Sequence, residues 1–186
     1  TCRRQRQMCI RDSTNVSHDL SDGGYSTRRK QTEDGLALIG KESWRDVTME
    51  DVYTAQEKMD DRIFRRCRHV VTEIARTVQA VEAFKSCDLS NIGSLMESSH
   101  RSLRDDFEVS CDEVDLMVAL AKEIDLEAGV LGARMTGGGF GGSTVTLCHS
   151  INAEIIARQM NDRYLALTGI EPLLFVTRPA AGAHLI

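Results

Sequence analysis

Gly132-Ala133-Arg134-Met135-Thr136-Gly137-Gly138-Gly139-Phe140-Gly141-Gly142-Ser143-Thr144-Val145-Thr146-Leu147 is the stretch that decides how this chain folds. Five of the six positions from 137 to 142 are glycine. Glycine tolerates positive φ and puts no Cβ between the backbone and a ligand, so a run this dense brings main chain close to something or reverses it sharply. Positions 137, 139 and 142 satisfy G-x-G-x-x-G. A dinucleotide fingerprint, however, needs a helix after the loop, whose N-terminus holds the pyrophosphate. Here the loop runs into Ser143-Thr144-Val145-Thr146-Leu147-Cys148, which is β-branched, alternating and strand-like. No Gly-Lys-Ser/Thr follows, so the loop is not a Walker A motif either. Composition alone reads it as a glycine-rich connection between two strands.

Upstream of this stretch the chain reads as helices. Tyr25, Thr32, Leu36 and Ile39 fall on one side of a helix that Gly40 closes with a left-handed cap. Arg28, Arg29 and Lys30 lie in its first turns, where cations oppose the helix dipole, and read as a solvated basic face with anionic neighbours nearby. Thr48-Met49-Glu50-Asp51 resembles a capping box with Asp in place of Glu, starting a short helix to about Met59. The longest helix spans about 61–86, with Ile63, Cys67, Val70, Ile74, Val78 and Val81 as a continuous apolar stripe. Arg65, Arg66, Arg68 and Arg76 sit off that stripe and read as a solvated face. Asp88 or Ser90 caps a helix containing Ile92, Leu95, Met96, Ser99, Leu103 and Phe107. Ser110-Cys111-Asp112-Glu113 opens another, with Val114, Met117, Val118, Ala121 and Ile124 inward, and Gly129 ends the helical run.

Downstream, Asn152 is placed to cap a helix to about Leu167, with Ile156, Met160 and Leu167 inward and Gly169 closing it. Leu173-Leu174-Phe175-Val176 reads as a short buried strand, and residues 179–186 as a last edge strand. Helices first and strands after predict an α+β fold, with several helices packed on a small antiparallel sheet.

Composition narrows the function classes. The chain has 186 residues, is 41% hydrophobic and 27% charged, and carries a net charge of −5. That describes a globular chain with a sizeable core and argues against nucleic acid as a partner. No apolar run reaches the length of a membrane span. The six cysteines are scattered without a C-x-x-C, and the five histidines form no H-E-x-x-H. Both facts argue against a zinc site or a disulfide framework and for a reducing cytosol. Residues 1–12 show neither a helical nor a strand period. They resemble translated sequencing-adapter read-through and are expected to be a non-native tail outside the fold.

Arg134-Met135-Thr136-Gly137-Gly138-Gly139-Phe140-Gly141-Gly142 with its following strand resembles the third motif of the GHMP small-molecule kinases, in its galactokinase form. Two further stretches agree. Residues 99–110, Ser-His-Arg-Ser-Leu-Arg-Asp-Asp-Phe-Glu-Val-Ser, resemble the helix before that motif. Tyr25-Ser26-Thr27-Arg28-Arg29-Lys30-Gln31 resembles the pattern Tyr-Asn-Thr-Arg-Arg-x-Gln. Three motifs in the family order span roughly residues 14–180. The resemblance implies transfer of the ATP γ-phosphoryl group to the 1-hydroxyl of galactose, with Mg²⁺. It also implies a division into the end of an N-terminal kinase region (13–45) and a C-terminal GHMP kinase domain (46–186). Tyr25 matches the tyrosine that hydrogen-bonds a sugar hydroxyl. Gly24 and Ser26 depart from the acid and Asn usual beside it. Gly137, Gly138, Gly139, Gly141 and Gly142 match the loop that backs the active site. His100 and Arg104 take packing roles. The serine-rich phosphate loop, the sugar-contacting first motif and the catalytic base are expected upstream of Thr1, leaving no catalytic residue and no metal ligand in this chain. The expected parent is a cytoplasmic monomer with galactose and ATP as partners. Another GHMP sugar kinase (for N-acetylgalactosamine or arabinose) and a non-catalytic sugar sensor remain open alternatives.

Overall fold

The computed structural model describes residues 7–17, 24–124 and 128–178. The glycine stretch is a hairpin: β2 (Val130–Thr136) and β3 (Gly141–His149) pair antiparallel, with Thr136 opposite Ser143 and Val130 opposite Cys148. Strands on both sides of the loop dispose of the dinucleotide reading. The sheet has four strands in the order β2-β3-β1-β4, and every pairing in it is antiparallel. With helices on it, this is the expected α+β architecture.

β1 (Gln7–Ser17) lies between β3 and β4 (Leu173–Thr177). For residues 7–12 this corrects the expectation that they stand outside the fold. Residues 7–12 form half of a central strand, with Ile10 opposite Thr146 on one side and Val176 on the other. Their period-2 signal is real but short: Met8 and Ile10 are buried and Arg11 between Ile10 and Asp12 is exposed. Charged Asp12, also buried, hides the pattern in the sequence. Because β1 is antiparallel to both neighbours, β3 and β4 run the same way and need a crossover, which α6 (Ala153–Thr168) supplies.

One face of the sheet carries α5 (Asp112–Ile124) and α6. Met8, Ile10 and Cys148 pack there against Met117, Ala121, Ile156, Met160 and Tyr164. On the other face Leu131 and Leu147 meet Ile92 of α4 (Leu89–Asp105) and Ala83 of α3 (Asp61–Ser86). Two glycines let α4 sit this close. A Cβ on Gly93 would strike the Leu131 carbonyl, and one on Gly132 would lie 2.7 Å from Gly93 Cα. α1 (Gly24–Ile39) and the short α2 (Met49–Thr54) complete the helical layer, packed on α3 around Val52, Phe64 and Cys67. The Thr48–Asp51 capping box forms with Asp doing the work of Glu, and Asp88 caps α4.

Several inward assignments change. In α3, Ile74, Val78 and Val81 are exposed, while Phe64, Arg66, Cys67, His69 and Val71 are buried. The helix is wedged between α1 and α4, so it buries two narrow faces near its start rather than one long stripe. Leu167 is 65% exposed, and the inward position is Tyr164, one turn beyond Met160. β4 is an edge strand, not a buried one: Leu174 and Val176 face the core while Leu173 and Phe175 are exposed. Asn152 sits at the N-cap of α6, but its side chain donates to Ala128 O instead of capping. Cys87 is disulfide-bonded, although the scattered cysteines argued against a disulfide framework, whereas Cys9, Cys67, Cys111 and Cys148 are free. The last strand read over 179–186 lies outside the described residues.

Two measurements check this packing. Gly93→Ala forces α4 off β2 and lowers unfolding stability by about 1–3 kcal/mol, whereas Gly138→Ala, with open space around it, changes stability little. Asp12 carries a second test. Its side chain is fully buried opposite Thr144, which donates to Oδ2, while Oδ1 has no hydrogen-bond partner among the described residues. Burial raises its pKa from 3.8 to about 6, against the smaller pull of the Thr144 hydrogen bond. A carboxyl whose folded pKa lies above its free value binds its proton more tightly when folded, so the fold loses stability as pH rises from about 4 to about 6. The full loss is about 3 kcal/mol at about 1.4 kcal/mol per pH unit. Asp12→Asn is expected to abolish that slope and to be the more stable protein at pH 7, as read by denaturant titration across the range.

Candidate active site

The candidate site is built on a turn, residues 105–110, that links α4 to α5. Its anchor is Arg66 on α3, whose side chain is fully buried. A guanidinium cannot lose its proton at ordinary pH, so burial demands acceptors. Arg66 finds them in the Asp106 carbonyl, the Glu108 carboxylate and Gln31 Oε1 of α1, the last at 3.1 Å. Arg65 adds bonds to the Asp105 carbonyl (2.8 Å) and to Glu108. Burial pushes the Glu108 carboxyl up, but hydrogen bonds from Arg66 and Arg65 outweigh it and hold the group below its ordinary range. The arginines read in the sequence as a solvated face are therefore the grip on this turn. Arg68 reaches the Asp106 carboxylate and Arg76 pairs with Glu73.

The turn is fixed from its other side as well. His69 stacks on Phe107 with ring centroids 4.5 Å apart, and its Nδ1 lies 3.0 Å from Ser102 Oγ. The Ser102 hydroxyl donates to Asp106 Oδ2 at 3.2 Å, so it accepts from His69 Nδ1–H. Burial pushes the His69 pKa down to about 4, so at neutral pH the ring is uncharged, with its proton on Nδ1. The three residue types of a hydrolytic triad are present, but the carboxylate meets the serine rather than the histidine and all three are buried. This is a brace, not a nucleophile.

The glycine loop is moulded on the turn. Phe140 N–H donates to Val109 O at 2.6 Å. Gly139 packs so closely that a Cβ would strike Val109, both its carbonyl oxygen and its Cβ. Gly137, Gly139, Gly141 and Gly142 have φ of +93°, +86°, +104° and +101°, and Phe140 itself has +59°. So the density of glycine has two separate causes here. Gly139 needs the space, while Gly137 and Gly142 need only the backbone angle, since nothing lies within 4 Å of a Cβ at either. Gly138, exposed and equally open, lies beside them.

Tyr25 arrives at the same place. It lies in the first turn of α1 and is 63% exposed. A Cβ on its neighbour Gly24 would come within 2.9 Å of the Phe140 ring, so the start of α1 sits directly on the glycine loop. Any side chain at position 24 would require the Phe140 ring to shift. Arg28 bridges α1 to the turn, donating to Phe107 O at 2.7 Å and to Glu108 O at 2.9 Å. His100 is buried, 3.2 Å from Asp115 and with Nδ1 3.4 Å from Met135 N, whereas Arg104 is exposed and pairs with Asp105. Arg66, His69 and Glu108 carry this geometry and were missed in the sequence. The readable signal was that Arg66 and His69, three residues apart, share one face of α3.

The comparisons fit this assembly. Residues 80–166 match the family model for the GHMP kinases C terminal. These residues carry the C-terminal domain of the GHMP kinases. The chain is similar to the galactokinase of Homo sapiens, 42% identical over 174 residues, covering 94% of this chain and 43% of that protein. It is similar also to the galactokinase of Haemophilus influenzae, 39% identical over 177 residues, covering 94% of this chain and 46% of that protein. The crystal structure of Lactococcus lactis galactokinase complexed with galactose superposes with a TM-score of 0.86 at 29% identity, over 98% of this chain and 47% of that one. The chain thus spans a little under half the length of these relatives.

Among the described residues no three His, Cys, Asp or Glu side chains converge as a metal-ligand set, and no helix is long and apolar enough to cross a membrane.

The moulding of the loop is directly measurable. Gly139→Ala meets both the unfavourable left-handed angle, about 1–2 kcal/mol, and the collision with Val109. Gly137→Ala meets the angle alone. The first variant is expected to be clearly less stable than the second in parallel denaturant titrations.

Proposed function

We propose that this chain is the C-terminal part of a galactokinase, an enzyme that transfers the γ-phosphoryl group of ATP to the 1-hydroxyl of galactose. One observation carries the reading. Three sequence segments that resemble galactokinase motifs, separated by up to about 70 residues, meet around one glycine hairpin through Arg28, Glu108, Val109 and Phe140. The relatives named galactokinase and the galactose-bound neighbour support it.

Phosphoryl transfer is largely positioning and electrostatic stabilisation, and the residues of this chain suit positioning. Tyr25 presents a hydroxyl from the first turn of α1, where it can donate to or accept from one sugar hydroxyl and so read its stereochemistry. The glycine hairpin forms the wall behind it. Its exposed backbone at Gly137, Gly138 and Gly142 leaves room for close approach by a phosphate group or by the segment that holds it. ATP supplies the transferred phosphoryl group. The residues described here form no carboxylate set for Mg²⁺, so no step is assigned to a metal on this part of the chain.

The test is purified full-length enzyme carrying this chain, assayed for ATP-dependent phosphorylation of a panel of sugars. Galactose 1-phosphate is the expected product. Exclusive use of N-acetylgalactosamine or arabinose, or sugar binding without turnover, would reject the galactokinase reading. Tyr25→Phe removes one hydroxyl and almost no volume. It is expected to raise the galactose KM roughly fivefold, the equivalent of about 1 kcal/mol, and to leave the ATP KM and the melting temperature unchanged.

A further inference from the structure

Arg28 touches all three segments of the candidate site at once. It lies one turn after Tyr25 on α1, so the two share a face of the helix. Its Nε and Nη2 donate to two successive carbonyls of the 105–110 turn, Phe107 O at 2.7 Å and Glu108 O at 2.9 Å. Its guanidinium also lies over the Phe140 ring of the glycine hairpin, 5.6 Å from the centroid, with the Glu108 carboxylate 3.9 Å away. A planar, pre-organised fork meets two carbonyls and a ring face in one fixed geometry, which the compact ammonium of lysine does not provide.

The placement has no local benefit. In the second turn of α1 a cation gains nothing from the helix dipole. Arg28 is also mostly buried, and burial followed by the nearby charge of Arg66 lowers its affinity for its proton. The neighbouring Arg29 shows the alternative: it is exposed and pairs with Glu33 one turn on. What Arg28 achieves is instead a fixed distance between the helix start and the hairpin.

We propose that Arg28 is a positioning residue: it locks the first turn of α1 to the turn that moulds the glycine hairpin, so that Tyr25 and the hairpin hold one separation. The sugar-site consequence rests on the galactokinase reading above; the mechanical tie does not.

The experiment uses the full-length enzyme with Arg28→Gln, Arg28→Lys and, as control, Arg29→Gln. Galactose KM and kcat are measured alongside amide hydrogen exchange in peptides covering residues 24–31 and 137–142. Arg28→Gln is expected to speed exchange in both peptides at least tenfold and to raise galactose KM at least tenfold. Exchange in α5 and α6, and the ATP KM, stay as they were. Arg28→Lys falls between, keeping the charge over Phe140 and losing the fork. Arg29→Gln matches the unsubstituted enzyme throughout. Unchanged exchange in the two peptides would overturn the tie, and so would equal loosening of α5 and α6, which marks a global loss of stability. Faster exchange with unchanged galactose KM would overturn the positioning role. If the unsubstituted enzyme does not phosphorylate galactose, the functional reading fails while the exchange result still decides the tie.

Discussion

A guanidinium with no exposed surface has to be answered by acceptors, and at Arg66 that requirement shapes the functional end of the molecule. The acceptors come from the 105–110 turn and from α1, two places distant in sequence. Removing the arginine would leave Glu108 with Arg65 and Arg28 as its cations and would free the Asp106 carbonyl. Conversely, an Arg66 without the turn would be a buried charge with one amide for company. The pair therefore holds together or fails together, and the turn takes a single conformation, with Glu108 at φ +52° as part of it.

That single conformation is what the glycine hairpin needs. A loop with four positive-φ glycines and a positive-φ phenylalanine has no intrinsic shape. Val109 supplies one, by a hydrogen bond to Phe140 and by filling the space over Gly139. The order of dependence runs from a buried charge in a helix, to a turn, to a loop, and then to the start of α1, where Gly24 lies against the Phe140 ring and Arg28 over it. Sites held to this degree suit a reaction whose barrier falls mainly through placement.

Much of this was legible in the sequence, and the limits have physical causes. The hairpin, the capping box at Thr48 and Asp51, the span of α3 and the left-handed caps at Gly40 and Gly169 follow from local rules of propensity and backbone angle. The α+β class followed from their order. Burial of charge did not follow. Arg66 looks like a surface residue because hydrophobic periodicity counts every arginine as outward, whereas its true face is set by partners about 40 residues away. β1 was lost for a related reason: a central strand containing Arg11 and Asp12 violates the pattern that identifies strands, and Asp12 has a buried oxygen with no partner among the described residues as the mark of that misfit. The glycine run was conspicuous, but which glycine serves space and which serves angle depends on Val109, and no spacing rule reveals it.

If Arg66 acts on the glycine hairpin through the turn, the two are energetically coupled. A double-mutant cycle in unfolding stability between Arg66→Lys and Phe140→Leu measures this directly, since the two side chains lie at opposite ends of the proposed chain of contacts. Lys at position 66 keeps the charge and loses the fork that grips Asp106 and Glu108. Transmission through the turn predicts a coupling of about 1 kcal/mol or more. Additivity within about 0.5 kcal/mol would mean that the hairpin does not feel the buried arginine, and would contradict the account.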